Sequence, residues 1–401
     1  MKEITGGVCA PQGFLAGGIT CGIKKNKQPD LAVIFSEVPA VAAGIFTTNK
    51  VQAAPVVLSK RYLKNGVAQA IIANSGNANA CVGEEGLQAA ETMAQSLAEM
   101  MKIPTDSVLV ASTGVIGVKL PVEKIQTGLK ENPGFLSVNG GKEAAQAIMT
   151  TDTFSKEAAI EFELDGVSVK IGGTAKGSGM IHPNMATMLG FITTDIAISR
   201  ELLHKALLRA GECSFNRITV DGDTSTNDCL LILANGKAEN TVISDDGSAY
   251  KQFETALITV CTNLAKKIAK DGEGATKFIE IKVCGAASEE AAVKAGKSVA
   301  TSNLVKTAIF GEDANWGRIL AAVGYSGIEF NPDNTDIHLG DLLVCQNGTG
   351  LVFDEDKAKL ILGQKDILIT IKLSKNAKYE ASVWTCDLTY DYVKINGSYR
   401  T

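Results

Sequence analysis

The segment Lys176-Gly177-Ser178-Gly179-Met180-Ile181-His182-Pro183-Asn184-Met185-Ala186-Thr187 holds the residue types in this chain most open to chemistry. A glycine-rich, lysine-bearing loop leaves a strand-like run, is stiffened by Pro183, and passes through Ala186-Thr187 into the apolar Met188-Leu189-Gly190-Phe191. This pattern places Thr187 at the start of a buried strand behind a tightly turned loop. A threonine hydroxyl without a neighbouring base is a poor nucleophile. At a new chain N-terminus it carries its own base, because the freed α-amine has a pKa of about 7.7–8.0. A cut before Thr187 would therefore create the catalyst. A structural threonine after a common kind of glycine loop fits the same spacing, so pattern alone leaves both readings open.

Other chemistries find no support in the residues. There is no GxxxxGK[ST] phosphate loop, no GxGxxG opening a helix after a strand and no GxSxG nucleophile elbow. The three histidines, His182, His204 and His338, are too sparse for a histidine-based zinc site, and His204 reads as an interfacial residue of an amphipathic helix. Asp221-Gly222-Asp223-Thr224-Ser225-Thr226-Asn227-Asp228 is rich in oxygen atoms but lacks the glycine and glutamate spacing of an EF-hand loop. It reads first as a turn held by side-chain to backbone hydrogen bonds. With 39 basic and 44 acidic side chains the formal charge is −5, so no global basic field invites nucleic acid or anionic lipid. Nine scattered cysteines without CxxC spacing suit a reducing compartment. No apolar run approaches the ~20 residues of a membrane span, and the expectation is a cytosolic protein.

The elements that must position Thr187 are partly legible. At 401 residues, 45% of them hydrophobic and 21% charged, the chain can bury a large core. Leu31–Phe35, Ala70–Ala73 and Val108–Ala111 read as short buried strands. Ile160–Leu164 and Val167–Ile171 alternate about Asp165-Gly166 as a β-hairpin, and Phe278–Val283 and Ile367–Leu373 share that period of two. Helical spacing covers Glu84–Met101, the segment after Ser199, and Ser248–Lys270. Hairpins and amphipathic helices without regular βαβ alternation point to α+β layers.

The run from Lys176 to Leu189 resembles the signature of the ornithine acetyltransferase family, the glutamate N-acetyltransferases, which cut themselves between Ala and Thr. Ser112-Thr113-Gly114-Val115-Ile116-Gly117, Thr150-Thr151-Asp152-Thr153, Asp271-Gly272-Glu273-Gly274 and Asn396-Gly397-Ser398-Tyr399-Arg400-Thr401 are similar to further motifs of that family. His182 departs from it, standing where many members carry a small residue. The resemblance implies an α+β fold of two lobes, β-sheets sandwiched by helices in α/β/β/α-type layers. It implies arginine biosynthesis, with acetyl moved from N-acetylornithine to glutamate through an acetyl-enzyme; some members also use acetyl-CoA, and no other cofactor or metal is implied. Thr187 would be nucleophile, with cleavage at Ala186 and Thr187 giving fragments 1–186 and 187–401 that share one intertwined core and assemble as two copies of each. Thr113 and Gly114 match the oxyanion-hole pair, and Thr153, Lys176, Thr187, Glu273, Asn396 and Thr401 the substrate contacts. Asn74–Asn79 and Gly311–Arg318 also look like family motifs and suit loop geometry or support.

The charges agree with such a substrate pair independently of the family. N-acetylornithine offers a carboxylate and a δ-ammonium, glutamate two carboxylates and an amine. Lys176 can meet a carboxylate; Glu273 and the Thr401 carboxylate can meet an ammonium. Two rivals remain at this level: a self-processing amidohydrolase or aminopeptidase that gives the acyl group to water, and a non-catalytic amino-acid-binding protein.

Overall fold

Leu31, Val33 and Phe35 enter one hydrophobic core, and the intervening Ala32 and Ile34 enter another. The same division sends Ala70, Ile72, Val108 and Val110 one way and Ile71, Ala73, Leu109 and Ala111 the other. A strand buried on both faces needs no polar alternation, which is why these runs read as uninterrupted apolar sequence. The structure, a computed structural model, describes residues 1–182, 188–374 and 377–398. It divides into two compact units, Met1–Asn216 with Asp223–Ile268, and Arg217–Gly222 with the described residues from Ala269. Each unit is a β-sheet packed by helices, so the fold is α+β as expected.

The first unit holds a nine-stranded mixed sheet. In spatial order its strands are Lys2–Glu3, Lys156–Leu164, Val167–Lys176, Leu189–Thr194, Cys229–Ala234, Leu31–Phe46, Val67–Asn77 and Val108–Val115, and Phe14–Ile19 pairs with the long strand Leu31–Phe46. That long strand extends well past the expected Phe35. Its first half pairs with Asn74 to Ala70 and its last six residues with Ala234 to Cys229, and the register shifts between Phe35 and Ala40. Glu37 and Pro39 are exposed at this irregularity, where the missing proline N–H costs no ladder bond. The hairpin at Asp165-Gly166 forms with φ of +49° and +83°, the two left-handed residues of a type I′ turn. Strands Val67–Asn77 and Val108–Val115 are parallel and joined through helix Glu84–Met101, as are Leu189–Thr194 and Cys229–Ala234 through helix Arg200–Cys213. Helix crossovers are therefore more frequent than the sequence pattern suggests. Helices Glu84–Met101 and Ser248–Lys270 run as expected, and Ser199 caps Arg200–Cys213 by accepting the Leu202 N–H.

The second unit holds a six-stranded sheet ordered Thr349–Gly350, Leu342–Gln346, Asp336–Leu339, Asp366–Lys372, Phe278–Ala286 and Tyr379–Cys386. Ile279, Ile281, Val283, Ile367, Ile369 and Ile371 face one core with helices Glu289–Ala300, Asn303–Phe310 and Trp316–Gly324. The alternate positions are polar and pair across strands, as in Ser382 Oγ donating to Glu280 Oε1 at 2.8 Å and Lys282 facing Glu380 at 3.1 Å. Asn315, in the Gly311–Arg318 segment, caps helix Trp316–Gly324. No described helix is long and apolar enough to cross a membrane, and no disulfide joins the described residues.

The bond between Ala186 and Thr187 lies outside the described residues, between two strands that hydrogen-bond to each other from Ile171–Thr194 to Lys176–Leu189. A cut there leaves this ladder and the burial of Met188, Leu189 and Phe191 intact. Fragments 1–186 and 187–401 should co-elute in native gel filtration and separate only in concentrated urea; separate native species would refute this.

Candidate active site

Strand pairing brings the polar ends of several strands together in the first unit. The register sets Asn74 beside Ser112, Ser75 beside Thr113 and Gly76 beside Gly114, while Lys176 pairs with Leu189. Gly114 adopts φ +137°, and a Cβ on it would lie 2.3 Å from the Gly76 carbonyl carbon and 2.4 Å from the Asn77 nitrogen. No side chain fits between these backbones, so this glycine is required by close approach. Ser112 Oγ donates to Asn74 Oδ1 at 2.6 Å, Asn74 Nδ2 to the Asn77 carbonyl at 2.9 Å, and Asn227 Nδ2 to the Ser112 carbonyl at 2.9 Å. This is the loop-holding role expected for Asn74–Asn79.

Thr113 and Lys176 are brought together. Lys176 Nζ donates to Thr150 Oγ1 at 2.9 Å and to Thr113 Oγ1 at 3.4 Å. A threonine hydroxyl that accepts from an ammonium keeps its own proton to give, the polarity an oxyanion donor needs. Beneath the lysine lies Asp152, fully buried. Its Oδ1 accepts from Lys156 Nζ at 2.7 Å and the Gly177 N–H at 2.8 Å; its Oδ2 accepts the Thr150 N–H at 3.0 Å and stands 3.9 Å from Lys176 Nζ. Burial acts most strongly on this carboxyl and raises its pKa, but Lys176, then Lys156 and the hydrogen bonds together outweigh it and hold the group well below the carboxylate range. Thr153 is exposed next to Asp152.

Asp228 is also buried, immediately before strand Cys229–Ala234, and its Oδ2 has no hydrogen-bond partner among the described residues. Burial pushes its pKa well above the ordinary value against hydrogen bonds from Ser225 and the Met188 N–H and the charge of Lys176. In the same run Thr224 Oγ1 donates to the His182 carbonyl at 3.0 Å and Asn227 N–H to Ser225 Oγ at 3.2 Å, the hydrogen-bonded turn expected there. Among the described residues no cluster of His, Cys, Asp and Glu could hold a metal ion.

In the second unit Glu273 is buried, and Asn396 Nδ2 donates to its Oε2 at 2.7 Å and to the Tyr392 carbonyl at 3.1 Å. These two expected substrate contacts are joined directly. Ala186, Thr187 and Thr401 lie outside the described residues. His204 is exposed on helix Arg200–Cys213. The sequence pattern did not single out Asp152, Lys156 or Asp228 as site residues. The available signal was the buried lysine itself, since an apolar strand that ends in Lys needs a carboxylate partner.

The ArgJ family profile matches residues 15–401. The arginine biosynthesis bifunctional protein ArgJ of Symbiobacterium thermophilum is 54% identical over 403 residues, with 100% of both chains covered. Its counterpart in Bacillus subtilis is 48% identical over 403 residues, covering 100% of this chain and 98% of that one. The crystal structure of arginine biosynthesis bifunctional protein argJ from Bacillus halodurans is similar with a TM-score of 0.51 and 45% identity, and covers 53% of this chain and all of that one.

Asp152 and Asp228 should respond oppositely to acid. The depressed Asp152 contributes stability that is complete above its unfolded value near pH 4 and lost as pH falls below it. The raised Asp228 keeps a proton that the unfolded chain has released, so its contribution declines as pH rises from about 4 through its folded value. Asp152→Asn should cost roughly 3–5 kcal/mol at pH 7 by unpairing a buried lysine and should flatten the acid limb of the Tm profile. Asp228→Asn should keep or raise Tm at pH 7. Thermal unfolding between pH 3 and 8 checks both; equal losses at neutral pH would contradict the assignment.

Proposed function

The chain belongs to the ArgJ family, and from that membership we propose a self-cleaving acetyltransferase of arginine biosynthesis that moves acetyl from N-acetylornithine to glutamate through an ester on Thr187. The observation that carries this reading is the joining of Thr113, Gly114 and Lys176 beside the strand that follows Thr187. In the precursor, Thr187 Oγ attacks the Ala186 carbonyl, the C–N bond breaks, and the freed nitrogen takes the proton. Water then hydrolyses the Ala186 ester and leaves Thr187 as an N-terminal residue.

In the transfer, the Thr187 amine takes the hydroxyl proton as Oγ attacks the acetyl carbonyl of the donor. The oxyanion is met by the Thr113 hydroxyl and the Gly114 N–H; one such donor is typically worth roughly 2.7–4 kcal/mol. Collapse expels the α-amine of ornithine, which leaves with the proton. Glutamate enters with a neutral amine, attacks the Thr187 ester, and departs as N-acetylglutamate while the hydroxyl and amine are restored. Lys176, anchored by Thr150 and Asp152, meets the α-carboxylate that donor and acceptor share. Glu273, oriented by Asn396, meets the donor ammonium, and Thr153 and Thr401 complete the contacts. We place the enzyme in the cytoplasm as two copies of each fragment. The bifunctional naming of the relatives supports acetyl-CoA as a second acetyl donor.

Incubation with N-acetylornithine and glutamate should give N-acetylglutamate with little free acetate; acetate as main product points to an amidohydrolase, and no product to a binding protein. With donor alone, intact mass spectrometry should find about 42 Da added to the fragment that begins at Thr187, as a covalent route demands. Acetyl on the other fragment would overturn the mechanism. Thr187→Ala should remain uncut and inactive while folded, and Thr187→Ser should cut and transfer at reduced rates. Lys176→Ala should raise KM for both amino acids more than it lowers kcat, because a contact made equally in ground and transition states affects binding.

A further inference from the structure

Lys24 is a cation at this end of the sheet that the mechanism above leaves unused. Its backbone N–H donates to Asp30 Oδ2 at 3.0 Å, and the Cys21 and Ile23 N–H groups donate to the same buried carboxylate at 2.6 Å each. The side chain then crosses Gly76, with Cγ 3.0 Å from where a Cβ on that glycine would stand. Gly76 is the register partner of Gly114, and Lys176 reaches the adjacent Thr113. Lys24, Gly114 and Lys176 therefore gather at one end of the same parallel strand pair.

The Lys24 ammonium donates to the Pro29 carbonyl at 2.7 Å and makes no ion pair among the described residues. Lys156 and Lys176, by contrast, share Asp152. Burial lowers the Lys24 pKa to about 8, with Asp30 and then Asp152 drawing it upward and Lys176 downward, so the group is charged at neutral pH. Three ammonium groups, those of Lys24, Lys156 and Lys176, thus meet the carboxylates of Asp30 and Asp152, and Asp30 is occupied by three backbone N–H groups. Three cations beside one strand pair, with Asp30 already taken up by backbone N–H groups, suit a ligand with more than one carboxylate. Of the two amino-acid substrates, glutamate has a second carboxylate where N-acetylornithine has an ammonium.

Resting on the acetyl-transfer reading, we propose that Lys24 binds the side-chain carboxylate of the glutamate acceptor and sets acceptor specificity. Lys176, fixed by Thr150 and Asp152, takes the carboxylate common to both substrates. Lys24, held among the described residues through a backbone carbonyl, has two N–H groups for the one that distinguishes them.

The test compares glutamate with glutamine as acceptor in the wild type, Lys24→Met and Lys24→Arg, with N-acetylornithine as donor throughout. In Lys24→Met the glutamate-over-glutamine ratio of kcat/KM should fall at least tenfold, and KM should rise more for glutamate than for N-acetylornithine. Lys24→Arg should recover most of the ratio, which a merely structural lysine would not require. An unchanged ratio, or equal loss with both acceptors, overturns the role of Lys24. If the wild type transfers no acetyl to either acceptor, the underlying reading fails instead, so the two failures are distinct.

Discussion

One buried carboxylate, that of Asp152, holds the cationic end of the first sheet in place. It takes an ammonium from Lys156, backbone N–H groups from Thr150 and Gly177, and the field of Lys176. Two lysines this deep need a counter-charge, because an ion leaving water forfeits several kcal/mol of solvation. Measured against an apolar replacement of the whole cluster, the net gain in stability from such ions is small or negative, so the value of the arrangement is geometric. Asp152 sets where strand Val167–Lys176 ends, aims Lys176 at Thr113, and fixes the first turn of the glycine loop through Gly177.

That geometry is possible because the surrounding sheet is apolar on both faces. Polar groups are then admitted only at strand ends, where backbone pairing stops and hydrogen bonds must be met by side chains. Asn74, Ser112 and Asn227 meet them at one end, and Asp228 closes the entry to strand Cys229–Ala234. Two acids in this region are both buried yet shift in opposite directions. Asp152 is surrounded by cations that hold its pKa down; Asp228 has one oxygen without a partner among the described residues, and burial pushes its pKa up. Environment, more than residue type, assigns them these directions.

Much of this was legible in the residues. The hairpin at Asp165-Gly166 and the helices Glu84–Met101 and Ser248–Lys270 follow from local period and turn chemistry; the structure forms the helices with those bounds and extends the hairpin arms to Lys156–Leu164 and Val167–Lys176. The motif residues Thr113, Gly114 and Lys176 lie together, and so do Glu273 with Asn396. What escaped was non-local. Strand Leu31–Phe46 continues past Pro39 because two different partners take its two halves, and no window of sequence reports a partner. Cys229–Ala234 has no alternation to read because both its faces are covered. Lys24 looks like any solvated lysine until Asp30 folds its loop over Gly76.

The strand order carries an implication for the sequence of events in the life of the molecule. Strands Leu189–Thr194 and Cys229–Ala234 follow the expected cut, and they lie between Val167–Lys176 and Leu31–Phe46, which precede it. The first fragment alone would thus have a sheet split by a two-strand gap, with two apolar edges lacking their neighbours. Unpaired edges of this kind recruit other chains. Translation as a single polypeptide is in effect a chaperoning device: the later strands arrive tethered to the gap they must fill, and scission is useful only once they have filled it. Genes encoding the two fragments separately would produce a first half prone to aggregate, even though the same half is content in the finished enzyme.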